Sequence, residues 1–214
     1  MLYRLSILLL AAAAVIAPAS AATVPAITAF EETFAKVDDY TVIVHASEAL
    51  GTQTQDRTYR YMYKRPHLVK TQILSGPGAG GGAVWTGGDT VSGHQGGILS
   101  FIHLTVGLHD GRATSLRGYT ISDGILQNQV GKYTTMKGTL SERGGPLIDG
   151  QETTLVELKI APGAGEPGET RAVIYFSKAT HLPLAQIRWS GDTVLSKELW
   201  TDLRTNVGLK DSDF

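Results

Sequence analysis

The residues of this chain that could do chemistry do not assemble into a recognisable reaction centre. Six histidines are present, His45, His67, His94, His103, His109 and His181, and none stands in an HExxH or other metal-ligand spacing. His103 and His109 with Asp110 come nearest to a cluster, and they read equally well as a polar loop. No Gly-x-Ser-x-Gly elbow occurs, because Ser92-Gly93-His94 lacks the flanking glycine. The glycine run at 76–82 leads into neither Lys-Ser/Thr nor a helix, so it is not a phosphate loop. The chain has no cysteine, which excludes a disulfide framework, a thiolate metal site and a cysteine nucleophile. These residue types point away from an enzyme and call for no cofactor and no metal.

What remains is an aromatic surface. In the stretch 57–63, Arg57, Tyr59, Tyr61 and Tyr63 share one face if the segment is a strand, because strand side chains alternate with period two. Together with Trp85, Trp189 and Trp200 they offer a broad apolar surface with polar tips, suited to a ligand with both a tail and a head group. The same aromatics could equally fill a packed core. A third possibility is an interaction or sensor domain that binds another envelope protein at a sheet edge.

The elements that must position these residues follow from periodicity. Thr23-Val24-Pro25 reads as a helix start, and Ile27, Phe30, Phe34 and Val37 form one apolar stripe, predicting a helix over 24–37. The β-branched run 40–44 predicts a strand, paired as a hairpin with the tyrosine strand. Lys64-Arg65-Pro66 closes that strand, and strands at 67–74 and from Ala83 extend the meander. Ten of the 25 glycines fall between 76 and 97, where they serve turns. The apolar run 98–104 could be strand or buried helix, and 125–130 suits a short helix capped by Ser122 or Asp123. Four further strands are expected at 153–160, 171–176, 184–190 and 193–203. The whole predicts an α+β fold in which eight to ten antiparallel strands make a strongly curved sheet, an incomplete β-barrel, with helices covering the concave face.

At 214 residues with 42% hydrophobic and 18% charged composition, the chain suits one globular domain, expected over 22–214. The net charge of −1 argues against nucleic acid as a partner. Residues 1–21 read as a signal peptide: Arg4, an apolar run over 5–17 too short to span a bilayer, and small residues before a cleavage expected after Ala21. The mature protein would then carry no membrane segment. Export without cysteine fits the periplasm, with secretion as the alternative.

Two resemblances add to this reading. The segment from Lys64-Arg65-Pro66 through His94-Gln95-Gly96-Gly97, with Arg117-Gly118-Tyr119-Thr120-Ile121-Ser122-Asp123-Gly124-Ile125, resembles a family of exported bacterial domains of unassigned function, the DUF1571-like type. More distantly, Lys64-Arg65-Pro66, Trp85, the Leu182-Pro183 turn and the closing Asp202, Asn206, Leu209 and Phe214 resemble the outer-membrane lipoprotein carriers (LolA/LolB-like). The Gly-rich loop at 76–88 departs from the carriers. The resemblance implies an apolar cavity that receives acyl chains, from a lipophilic small molecule or a lipoprotein, and an Arg65 that helps hold a lid closed. Strand alternation then gives the expected lining: Tyr61, Tyr63, Val69, Ile73, Trp85, Val156, Leu158, Ile174, Phe176, Ile187 and Trp189. Arg65 is expected at the rim as a structural or gating cation, its guanidinium bridging carbonyls.

Overall fold

The computed structural model describes residues 24–97 and 101–214. The expected signal peptide and its cleavage site lie outside them, as does part of the ambiguous apolar run at 98–104. Helix α1 (Pro25–Phe34) opens the described chain with a proline in its first turn and buries Ile27, Phe30 and Phe34, the stripe set by their three- and four-residue spacing. Six strands follow: β1 (Asp39–Leu50), β2 (Gln53–Lys64), β3 (Leu68–Ser75), β4 (Gly82–Trp85), β5 (Thr90–His94) and β6 (His103–Gly107). A 3₁₀ turn (Ile121–Gly124) leads into α2 (Leu126–Thr135), and then come β7 (Gly138–Gly144), β8 (Thr153–Ile160), β9 (Arg171–Ser177), β10 (Pro183–Ser190) and β11 (Thr193–Thr205). Neither Ser122 nor Asp123 caps α2, which has no side-chain cap, and the 3₁₀ turn before it is capped by Thr120. Thr120 Oγ1 accepts from the Asp123 amide at 3.3 Å and Asp123 Oδ2 accepts from the Thr120 amide at 2.9 Å, a reciprocal capping box.

All strands of the described residues join one antiparallel sheet, eleven strands in the order β6-β5-β4-β3-β2-β1-β11-β10-β9-β8-β7. This corrects the expected strongly curved, incomplete barrel: the sheet is open, not strongly curled, and β6 and β7 are its two edges. The physical reason lies at its centre. The long strands β1 and β11 pair from Tyr40↔Thr205 to Glu48↔Ser196, so the two meanders lie side by side as one continued sheet. A large strand count demands twist, yet open sheets of about 8–15 strands exist, and closure would need the first and last strands to meet.

Both helices cover one face. Phe30 stacks on Phe34 at 5.2 Å and meets Phe176 at 5.8 Å, while Tyr40 lies 5.1 Å from Tyr63 and 6.1 Å from Tyr61. The Tyr40 hydroxyl accepts from the Leu126 amide at 3.1 Å, tying α2 to the same core. The closing segment is locked down by Asp39, whose carboxylate accepts from the amides of Val207, Gly208 and Leu209 at 2.7–3.3 Å. Asn206 adds its side-chain bonds to Asp38 N at 2.8 Å and Lys36 O at 3.0 Å.

Candidate functional site

The helix-bearing face is not covered uniformly. Beyond the aromatic core, β1 and β2 run on past the reach of α1, and a cavity of about 580 Å³ lies over their far ends. Pairing places Tyr61, Tyr59, Arg57 and Gln55 of β2 opposite Val42, Val44, Ala46 and Glu48 of β1, so one alternation passes from packed core to cavity floor without a break in register. Tyr61↔Thr71 and Tyr59↔Ile73 continue the floor onto β3, and Ala46↔Glu198 continues it onto β11. The Gly-rich hairpin at 78–83 and residues 94–97 form one wall, and residues 112–124 with Gln129 of α2 form the roof. The roof lies close: a Cβ on Gly124 would come within 2.7 Å of the Tyr61 ring, so only glycine allows this approach. The Tyr61 hydroxyl donates to Ile121 O at 2.8 Å and fixes the same contact.

A buried ionic network holds the roof in place. Arg117 donates from Nη2 to Glu166 Oε2 at 2.7 Å and from Nη1 to Ala49 O at 2.6 Å, and its amide donates to Glu48 Oε2 at 3.0 Å. The Tyr119 hydroxyl donates to Glu166 Oε1. From β10, Arg188 faces Glu166 Oε1 at 3.3 Å and Glu169 Oε1 at 3.5 Å. The side chains of Arg117, Arg188 and Glu169 are nearly inaccessible, 6%, 4% and 0% exposed, and buried charges persist only when paired in this way. Burial pushes the Tyr119 hydroxyl up, with the Arg188 charge working against it.

Beside this network the floor is polar. Glu198 Oε2 accepts from Gln186 Nε2 at 3.0 Å and Gln129 Nε2 at 3.3 Å, and Gln186 Nε2 also donates to Gln129 Oε1 at 2.8 Å. Gln186 Oε1 is buried without a partner. Burial pushes the Glu198 carboxyl up to about 7, against the Gln186 hydrogen bond and the Arg188 charge, and the Glu48 carboxylate adds to the rise. Burial likewise pushes the Tyr59 hydroxyl well up, with Glu198 and Glu48 adding to it.

Of the residues expected from the sequence to line a cavity, the structure brings Tyr61 and Ile73 to it. Tyr63, Val69, Val156, Leu158, Ile174 and Phe176 are buried in the packed core. Trp85 packs at the core's margin, its indole N–H donating to Gly88 O at 2.9 Å. Ile187 and Trp189 lie on the opposite face of the sheet, where the Arg171 guanidinium sits 4.0 Å over the Trp189 ring. Their inward neighbours are Gln186 and Arg188, paired with the core residues Ile174 and Ala172. Arg65 does not line the cavity. It donates to Val37 O at 2.5 Å and Phe34 O at 2.6 Å, satisfying carbonyls at the end of α1, and lies 5.3 Å from the Phe34 ring.

The sequence reading missed Glu48, Glu198, Gln129 and Glu166. Glu198 carried a signal, since it shares parity with Trp200 on β11. Glu166 lay in a Pro/Gly loop that carried none. Among the described residues, no group of three or more His, Cys, Asp or Glu side chains could hold a metal ion.

No family model and no curated protein matches the chain, so the DUF1571-like assignment gains no support. Solved structures do match. An uncharacterized conserved protein from Thermus thermophilus superposes with a TM-score of 0.55 at 11% identity, covering 88% of this chain and 89% of that one. The lipoprotein LppX of Mycobacterium tuberculosis superposes with a TM-score of 0.50 at 15% identity, over 86% of this chain and 96% of that one. A LolA superfamily protein from Nitrosomonas europaea matches more loosely, with a TM-score of 0.40 at 11% identity, over 90% and 98%. At these identities the likeness is one of fold alone, and it rests on the Thermus thermophilus protein and LppX.

Proposed function

We propose that the protein binds a lipophilic molecule with a polar head, such as an acyl-chain lipid, reversibly and without chemistry, in the cell envelope. The observation that carries this reading is the cavity of about 580 Å³ over β1–β3, within the usual range of about 300–1,000 Å³ for small-molecule sites. Tyr59, Tyr61, Ile73 and Ala83 supply apolar wall, and each buried methylene of a ligand contributes about 0.8 kcal/mol. The signal-peptide reading of residues 1–21 supports action outside the cytoplasm, in the periplasm. Among the described residues no helix is long and apolar enough to cross a membrane. The distant likeness to lipoprotein and carrier folds is compatible with lipid handling and does not name a ligand.

A second reading, an interaction domain, is favoured by one observation. Among the described residues the edge strand β6 is unpaired on its outer side, and Phe101 just before it and Leu104 within it are 73% and 49% exposed. Such an edge can accept a partner's strand.

A fluorescent fatty alcohol titrated against delipidated protein separates the two. Saturable binding, abolished by the cavity-filling Ala46→Trp with thermal unfolding unchanged, supports a ligand cavity. Absence of saturable binding across a panel of alkyl lipids leaves the interaction reading.

A further inference from the structure

Resting on the cavity-ligand reading above, we propose that the ligand's head group is a cationic nitrogen, seated at the floor between the carboxylates of Glu48 and Glu198. The amide donors around Glu198 are already engaged. The amide nitrogens of Gln129 and Gln186 are both turned to Glu198 Oε2, and Gln186 Nε2 also serves Gln129 Oε1. Glu48, only 8% exposed, gives Oε2 to the Arg117 amide. Among the described residues, neither Glu48 nor Glu198 forms a salt bridge, although both line the cavity. At the two carboxylates an entering molecule meets acceptors, with the Arg57 guanidinium and the Tyr59 hydroxyl as the donors beside them, so the group that complements the carboxylates is a donor or a positive charge.

The nearby cations are committed elsewhere. Arg188 and Arg117 serve Glu166, Lys132 pairs with Asp123 at 3.1 Å, and Arg112 pairs with Asp110 at 2.7 Å on the exposed side. Of the lining charges this leaves Arg57, whose Nε donates to Pro77 O at 2.9 Å, to answer two carboxylates. The local balance is negative. The rings of Tyr59 and Tyr61 on the same floor add aromatic surface, which a quaternary or primary ammonium prefers to a bare apolar wall. The position of Glu198 agrees: with its carboxyl held near 7 by burial, an arriving cation would ionise it and release a proton. A head group bearing its own negative charge would instead confront Glu48 and Glu198 across a poorly solvated floor.

The test is isothermal titration of the protein with three single-chain probes of equal length below their micellar concentrations, dodecyltrimethylammonium, dodecanol and dodecanoate. Titrations at pH 7 in two buffers of different ionisation enthalpy report proton release. The ammonium should bind about tenfold more tightly than dodecanol, with dodecanoate weakest and with proton release for the ammonium alone. Glu198→Gln with Glu48→Gln should erase the ammonium's advantage over dodecanol. The single Glu198→Gln variant, nearly isosteric, should lose the proton release and about threefold of the advantage even if the pair fails to fold. Equal binding of all three probes, or dodecanoate as the tightest, overturns the head-group inference while the cavity reading stands. Binding of none overturns both.

Discussion

Two ends of one sheet face, built from the same two strands, have come out as opposites. At the α1 end, Tyr40 and Val42 of β1 with Tyr63 and Tyr61 of β2 are buried beneath Phe30 and Phe34 and packed ring against ring. Six residues further along each strand, the same inward parity carries Ala46 and Glu48 against Arg57 and Gln55, and the space above them is a cavity. Strand alternation is continuous across both ends, so it does not decide which is solid. The cover decides. A helix with an apolar stripe fills the surface beneath it, whereas the irregular segment at 112–124 spans its end as a roof pinned at the rim by Arg117, Glu166 and Arg188.

The contrast is tested most directly at the solid end. Phe34→Ala leaves a void in a dense aromatic cluster and should cost about 3–5 kcal/mol in urea unfolding, more than any change expected at the cavity end. A loss below about 1 kcal/mol would mean that the α1 end is as loosely filled as the cavity end. The cavity end answers to pH. Glu198 has a folded value of about 7 against 4.5 unfolded. Below 4.5 both states hold the proton and the group contributes nothing to the balance. Between 4.5 and 7 the unfolded chain ionises first, so stability falls as pH rises, by up to about 3 kcal/mol, and levels off above 7. Urea titrations from pH 4 to pH 8 should show this slope and Glu198→Gln should flatten it. An unchanged slope in the variant would place the proton elsewhere. The smallest effect is expected at Arg65. Arg65→Leu removes two hydrogen bonds to carbonyls at the end of α1 and should cost about 1–2 kcal/mol while leaving ligand affinity alone, since Arg65 does not reach the cavity. A changed affinity with unchanged stability would restore it as a gate.

How much of this could be read from the chain depended on whether the signal was local. The α1 stripe and the tyrosine alternation are local patterns, and the structure follows them. On β10 the pattern misleads because both faces are buried in part: Leu155, Val173 and Ala185 are buried on the side away from the helices, so Ile187 and Trp189 had apolar neighbours on either assignment. The inward choice fell to Gln186 and Arg188, whose partners Gln129, Glu198, Glu166 and Glu169 are distant in sequence. The cavity floor was hidden for the same reason. Glu48 gives no local sign, and the parity that Glu198 shares with Trp200 does not say what lies over it; the pairing of β1 with β11 sets both on one inward face. The strand count suggested closure but said nothing about which strands would be neighbours.

The pairing at the sheet's centre also sets the order in which the molecule can be made. Strand β1 lies beside β11, and the Asp38–Asn206 bond that finishes this seam joins residues 168 apart. Hairpins β1–β2 through β5–β6 and β7–β8 through β10–β11 can form from neighbours, but each set keeps one bare central edge until the other arrives. Bringing such remote segments together costs loop-closure entropy before any pairing repays it, and topologies of this kind fold over milliseconds to seconds rather than microseconds. The fold should therefore be acquired late and as a unit. A chain lacking β11 would present β1, the longest strand of its half along with β2, as an open edge ready to pair with another copy.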